Sequence, residues 1–224
     1  MMLLRSFQVI SIVTFAMLMP VLIQAESPVD VGIWSKEARF LSYVQQTRKV
    51  QIAAPDKNKV VVIDGVRLLV VMGGKELPGI ENEGVGTLAE LSWAPDSSAF
   101  FITWSDGGTV GTWRPSVYLI RKTRVHRVDV TKEIETHFGK QYACKEPEEP
   151  NIGAIKWLKG SKNLLLVAEV PPHSTCPEMG KVMGYIVSVP SGKIVEQFGS
   201  DKLKTVWGRY LGPRLSWEEK EDPK

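Results

Sequence analysis

Short apolar runs bounded by turn residues recur along this chain. The clearest case is Leu91 to Gly108. An apolar run ends on Trp93, Pro95-Asp96 interrupts it, Phe100 to Trp104 resumes it, and Asp106-Gly107-Gly108 closes it. Aromatic and β-branched residues at such spacing predict two strands. Pro95 presets φ for the first central turn position, and Asp96 has a carboxylate that can bond nearby amides. Lys59 to Ile63 and Val66 to Met72 flank Asp64-Gly65, a strong hairpin signal. Further strands are expected at Val117–Ile120, Val125–Val130, Ala154–Trp157, Asn163–Val170, Val182–Val189 and Lys193–Phe198.

Two stretches carry a helical period instead. Thr131 to Phe138 predicts one or two turns, with Thr131 as N-cap, Ile134 and Phe138 on one face and Gly139 as the stop. Leu203, Val206, Trp207, Tyr210 and Leu211 fall at helical spacing behind Asp201, and Gly212-Pro213 ends them. Trp34 to Gln46 fits both periods; the β character of the neighbouring Ile52–Met72 region favours a strand from Arg39 to Gln45. Loops are expected at 75–87, at Thr109–Pro115, at Lys140–Asn151 and at Pro171–Gly180.

Three segments share one layout. Ala53-Ala54-Pro55-Asp56 with Val60–Ile63, Trp93-Ala94-Pro95-Asp96 with Phe100–Thr103, and Trp157-Leu158-Lys159-Gly160 with Leu164–Val167 superimpose without gaps, at offsets of 40 and then 64 residues. Internal similarity near 40 residues, with about four strands per unit, is the sign of a propeller-type array.

The layout resembles the WD40-like repeat of the TolB β-propeller family, whose units open on a Trp-Ser-Pro-Asp-Gly type of turn and an apolar strand. Trp93-Ala94-Pro95-Asp96-Ser97 matches best; the first unit keeps only Pro55-Asp56, and the third keeps Trp157. The resemblance runs from about residue 50 to residue 198. It implies radially arranged four-stranded blades, an extracytoplasmic setting and protein partners. The expected fold is therefore all-β, built of repeated four-stranded antiparallel units as a closed or open TolB-like propeller with a short C-terminal helix. An antiparallel β-sandwich is the alternative. Propellers close with roughly four to eight blades, whereas three units are visible, with Trp34 to Val50 as the one candidate for a fourth. An open array leaves edge strands to be covered, by the helix at Leu203–Leu211 or by a second copy of the chain.

The amino terminus adds a compartment. Arg5 precedes an apolar stretch from Phe7 to Ile23, then Ala25 and the charged Glu26. This describes a signal peptide over residues 1–25, the other reading being an uncleaved anchor. It leaves a single β-repeat domain over 26–212 and a charged tail over 213–224. The mature chain is expected to be exported, periplasmic or extracellular, with no further membrane span. The whole chain carries 28 basic and 25 acidic residues, close to neutrality, and no basic cluster of the kind nucleic-acid binding needs. Cys144 and Cys176 are the two cysteines, and in an exported chain they predict one disulfide.

Candidate chemistry is sparse. His126 and His137 read as surface residues. His173 lies three residues before Cys176, so these two with Cys144 form a candidate metal set that competes with the disulfide. No Gly-x-Ser-x-Gly elbow occurs, and Gly84-Val85-Gly86 lacks the context of a phosphate loop. No catalytic residue, cofactor or resident metal is expected. Binding belongs to the loops, where Trp113, Arg114 and Asp106 stand out, unless Trp113 packs against Trp104. The expectation is an exported, non-enzymatic protein that binds a protein or a cell-envelope component. The alternative is a small secreted enzyme or carbohydrate-binding module using Asp106, Glu81 and Glu83.

Overall fold

The computed structural model describes residues 31–42, 48–80, 84–107, 112–142, 149–172 and 174–215. The signal segment, Glu81, Glu83, Cys144, His173 and the tail beyond 215 lie outside them. The fold is all-β, three antiparallel sheets with a short C-terminal helical segment. The first sheet holds β2 (Val50–Ala53), β3 (Lys59–Asp64), β4 (Arg67–Met72) and β5 (Lys75–Glu76) in that order. The second runs from β1 (Arg39–Leu41) and β6 (Leu88–Trp93) through β7 (Ala99–Ser105) and β8 (Trp113–Arg121) to β9 (Arg124–Val128). The third holds β10 (Asn151–Leu158), β11 (Asn163–Glu169), β12 (Val182–Ser188) and β13 (Lys193–Gly199).

The sheets stack face to face, which explains why their central strands are apolar at every position rather than at every second one. Phe100 and Ile102 of β7 point into one core with Val61, Ile63 and Val70 of the first sheet. Phe101, one residue on from Phe100, points into the opposite core with Leu164, Leu166 and Tyr185 of the third. β11 repeats the device, because Leu165 and Val167 turn away from Leu164 and Leu166 into a third cluster. That last face is covered by Trp34, Leu203, Leu211 and Leu215.

The shared layout has a shared geometry. Lys57, Ser97 and Ser161 occupy the same turn position and all have positive φ (57°, 59° and 70°). Asp56 and Asp96 each accept a backbone N–H two residues on, from Asn58 and Ser98, at 2.9 Å. The turns also interlock. Trp93 Nε1 donates to the Ile52 carbonyl of the preceding sheet at 3.0 Å, and Trp157 Nε1 donates to Ser92, the equivalent carbonyl, at 3.3 Å. Ser97 Oγ accepts from Asp56 N–H at 2.9 Å and Ser161 Oγ from Asp96 N–H at 3.4 Å. The second and third sheets thus each hold their predecessor at the same two places. The first unit has Ala53 and Lys57 there, without the groups for such a lock.

Several expectations need correcting. The stretch 31–41 is no fourth unit; β1 adds to the second sheet by pairing with β6. Thr109–Pro115 is not all loop, since β8 begins at Trp113 and runs through Pro115. Proline is tolerated there because β9 pairs with β8 only from Val117 onward, so Pro115 needs no N–H on that side. The helix α1 (Lys132–Gln141) buries Ile134 and Phe138 but continues past Gly139. Its N-cap Thr131 makes no side-chain cap; Asp129 Oδ1 instead accepts the N–H groups of Thr131 and Lys132. The C-terminal segment begins as an α-turn at Ser200–Lys202, widens to a π-turn at Leu203–Trp207 and tightens at Gly208–Tyr210. Its predicted apolar face is only partly used: Leu203 and Leu211 are buried, while Val206 is 50% exposed. Among the described residues no helix is long and apolar enough to cross a membrane.

Candidate functional site

Register assembles the principal surface feature. β7 sets Trp104 opposite Arg114 on β8, and β9 sets Arg127 opposite Tyr118. With side chains alternating, Trp104, Arg114, Ser116, Tyr118 and Arg127 share the face turned towards the first sheet. At one end of that face the sheets diverge and leave a cleft of about 430 Å3, walled by Val66, residues 84–86, Trp104, Ser116 and Arg127. Val66 lies in the β3–β4 turn and is 68% exposed. The 84–86 wall is pinned to that turn by the Val85 N–H, which donates to the Val66 carbonyl at 2.8 Å, and by a bridge between Arg67 and Gly84.

Gly86 makes this wall possible. A Cβ there would lie 2.2 Å from the Ser105 carbonyl oxygen and 2.8 Å from the Trp104 ring. Only glycine lets the backbone sit against the indole. Ser116 is 4% exposed and lines the cleft. Among the described residues the lining contains a guanidinium and no carboxylate. A second groove, of about 460 Å3, lies beside Lys36, Glu37, Arg39 and Trp93. Its charges are mixed, and Glu37 is already paired with Lys156.

Behind the surface lie two buried polar anchors. Glu90 of β6 is fully buried; its Oε2 accepts the Trp34 N–H at 3.0 Å, and Oε1 has no partner among the described residues. Burial pushes its carboxyl up to about 8, although the amides of Trp34, Ile33 and Ser35 all favour the charged form. A Cβ on Gly32 would stand 2.5 Å from this Oε2. In the second anchor, Arg214 donates to Glu169 Oε2 from Nε at 2.9 Å and from its terminal nitrogen at 2.7 Å. Asn151 reaches the same oxygen and accepts the Trp113 N–H at 2.9 Å. The Arg214 guanidinium lies 5.0 Å from the Trp34 ring centroid. Burial holds the Glu169 carboxyl above its ordinary range, and Arg214 opposes that rise.

The residues singled out in the sequence scatter. Trp113 is 4% exposed, packed edge-on to Trp34 with centroids 6.2 Å apart, so it is a core residue and its partner is not Trp104. The side chain of Arg114 is 43% exposed and paired with Glu149. Asp106 is exposed just past the end of β7, where its carbonyl accepts from Thr87. The three do not converge on one another. Cys176 is buried, with Cys144 outside the described residues, as are Glu81 and Glu83. His126 is exposed on β9, and His137 meets the Tyr185 hydroxyl at 3.2 Å. Among the described residues no three His, Cys, Asp or Glu side chains are gathered around a metal position. Trp104, Ser116 and Arg127 escaped sequence reading because they meet only through strand register, on three strands. The available signal was the period-two placement of Trp104 and Ser116 on apolar strands. Comparison with protein-family models, with curated proteins and with solved structures finds no match.

Proposed function

We propose that this chain is an exported, non-enzymatic β-repeat protein that binds a protein or cell-envelope partner through the cleft between its first two sheets. One observation carries the reading: a half-buried Trp104 stands beside Ser116 in a cleft where Arg127 is the one charged lining group among the described residues. Small-ligand sites have this make-up, apolar walls with a few convergent polar groups. The interlocked turns support an open TolB-like array as the scaffold. Export is supported by the first 25 residues, and a Cys144–Cys176 bridge by the burial of Cys176 and by the lack of a free cysteine among the described residues.

The test is co-sedimentation of purified protein with isolated envelopes of the source cells. Retention of wild type and loss of Trp104→Ala is the expected result. Retention unchanged in the variant removes the cleft from the reading. Hydrolysis of peptide, ester or glycoside substrates, abolished by one polar substitution, overturns the non-enzymatic assignment.

A further inference from the structure

We propose that the outer edge of β2 is a docking site for an extended acidic segment of a partner protein, which joins the first sheet as an added strand. This surface shares no lining residue with the cleft at Trp104. The common layout of the three units identifies it. Gln51, Leu91 and Ile155 are equivalent positions, each two residues before Ala53, Trp93 and Trp157. The Ala54 N–H donates to the Lys59 carbonyl at 2.8 Å, and bonding alternates along an antiparallel pair. Val50 and Ile52 therefore bond β3, while Gln51 and Ala53 turn their N–H and C=O groups outward.

Two of the three equivalent edges are already used. At Leu91 the edge is paired with Arg39 of β1, and at Ile155 the carbonyl accepts the Ser35 hydroxyl at 2.6 Å. At Gln51 and Ala53 no described residue bonds the outward groups. The stretch 31–41 thus serves the second and third sheets and leaves the first without the strand that β1 gives the second. A main-chain edge in this state is a template for pairing.

The surroundings select the occupant. The groove of about 460 Å3 lies between β2 and β1, with Ile52, Pro55, Trp93 and Val31 as apolar walls, and Val31 is 51% exposed. Lys36 and Arg39 line the same groove, and Arg48 and Lys49 stand exposed at the start of β2. The neighbouring carboxylates are already paired, Glu37 with Lys156 and Asp56 with Lys59. Cations beside apolar walls match a strand that alternates carboxylate and apolar side chains. A second copy fits less well, because pairing through this edge sets the same basic residues against one another.

Fluorescence anisotropy with the purified full chain tests the proposal, using labelled peptides of sequence Glu-Val-Glu-Val-Glu, Lys-Val-Lys-Val-Lys and Glu-Pro-Glu-Pro-Glu. The first is expected to bind at least tenfold more tightly than the second, which reverses the charge. The same margin is expected over the third, which keeps the charge but lacks strand donors. Gln51→Pro and Ala53→Pro each delete an outward N–H and no bond to β3, and each should weaken binding tenfold or more. Lys36→Glu with Arg39→Glu should do the same, and near-UV circular dichroism checks that each variant is folded. Amide exchange of the wild type needs no variant: saturating peptide should slow the Gln51 and Ala53 N–H groups at least tenfold. Equal binding of the proline peptide, or unchanged exchange at these two amides, overturns strand addition. Equal binding of the lysine peptide overturns the acidic preference, and a dimer in solution that Gln51→Pro breaks makes the occupant a second copy. No binding of Glu-Val-Glu-Val-Glu overturns the proposal, while the cleft reading is decided separately by envelope retention of Trp104→Ala.

Discussion

The carboxylate of Glu90 accepts the backbone N–H of Trp34 at 3.0 Å across 56 residues of sequence, with no cation paired to it among the described residues. The native state therefore holds a proton on Glu90 that the unfolded chain has released between pH 4.5 and about 8. Its contribution to stability is fully present below pH 4.5 and is lost as pH rises through about 8, on the order of 5 kcal/mol in all. Thermal midpoints should fall over that window, and Glu90→Gln should flatten the fall. An unchanged slope in the variant would assign the dependence to other groups.

Acid should act through different residues. The Asp56 carboxyl is held below its ordinary value by the hydrogen-bonded ion pair with Lys59 and by the Asn58 amide. A depressed carboxyl contributes above its unfolded pKa of 3.8 and ceases to as pH falls through its lower native value. Asp56→Asn should be less stable than wild type at pH 6 and converge with it in acid, so that part of the stability loss seen below pH 4 by fluorescence-monitored titration disappears.

The interlocked turns give a paired prediction. Trp93→Phe and Trp157→Phe keep a ring but delete the N–H, leaving the Ile52 and Ser92 carbonyls without that donor. Each should cost about 1–2 kcal/mol in urea denaturation, and Trp→Ala at either position about 3–5 kcal/mol. Trp→Phe variants as stable as wild type would mean that water replaces the donor at no cost.

Removing Arg214 leaves the buried Glu169 carboxylate facing Asn151 without its cation. Arg214→Ala should lose about 3–5 kcal/mol, and Arg214→Met with Glu169→Gln considerably less. A double-mutant cycle reads the difference; equal losses would show that packing on Trp34, not charge, is what Arg214 supplies.

The cysteines can be settled chemically. A bridge closes a loop of 31 residues between Cys144 and Cys176, and the chain-entropy model gives it about 3–4 kcal/mol. Titration of denatured protein with a thiol reagent should find no free thiol before reduction and two after it. Two thiols without reductant would exclude the bridge.

Much of the fold was legible because it is local. The turn at Pro95-Asp96, the Asp64-Gly65 hairpin and the apolar runs at Phe100 and Leu164 each carry their own strand or turn signal. The features that stayed hidden depend on partners far along the chain. Pro115 reads as a loop residue until the pairing range of β9 is known. Trp113 reads as a surface anchor until Asn151 is seen to take its amide. β1 has only three paired residues, and its partner β6 lies about 50 residues away, so no local pattern marks its destination. The cleft was hidden for the same reason, since Trp104, Ser116 and Arg127 belong together only after three strands are in register.

The stretch 31–41 sits where the early and late parts of the described chain converge. Gly212 N–H donates to the Trp34 carbonyl at 2.7 Å, Arg214 N–H to Ile33 at 3.1 Å, and Ser35 Oγ to Ile155 at 2.6 Å. Residues made early thus have their bonding partners among residues made late. A ribosome-bound chain can build the Asp64-Gly65 hairpin at once, but Trp34 must wait for Gly212. Contacts of such long sequence separation slow folding, and shortening the chain before Leu211 should strand the N-terminal segment rather than simply trim a tail. Closure of the fold is in this sense a clasp fastened on Trp34, and an open clasp is where a quality-control protease would find an unfinished molecule.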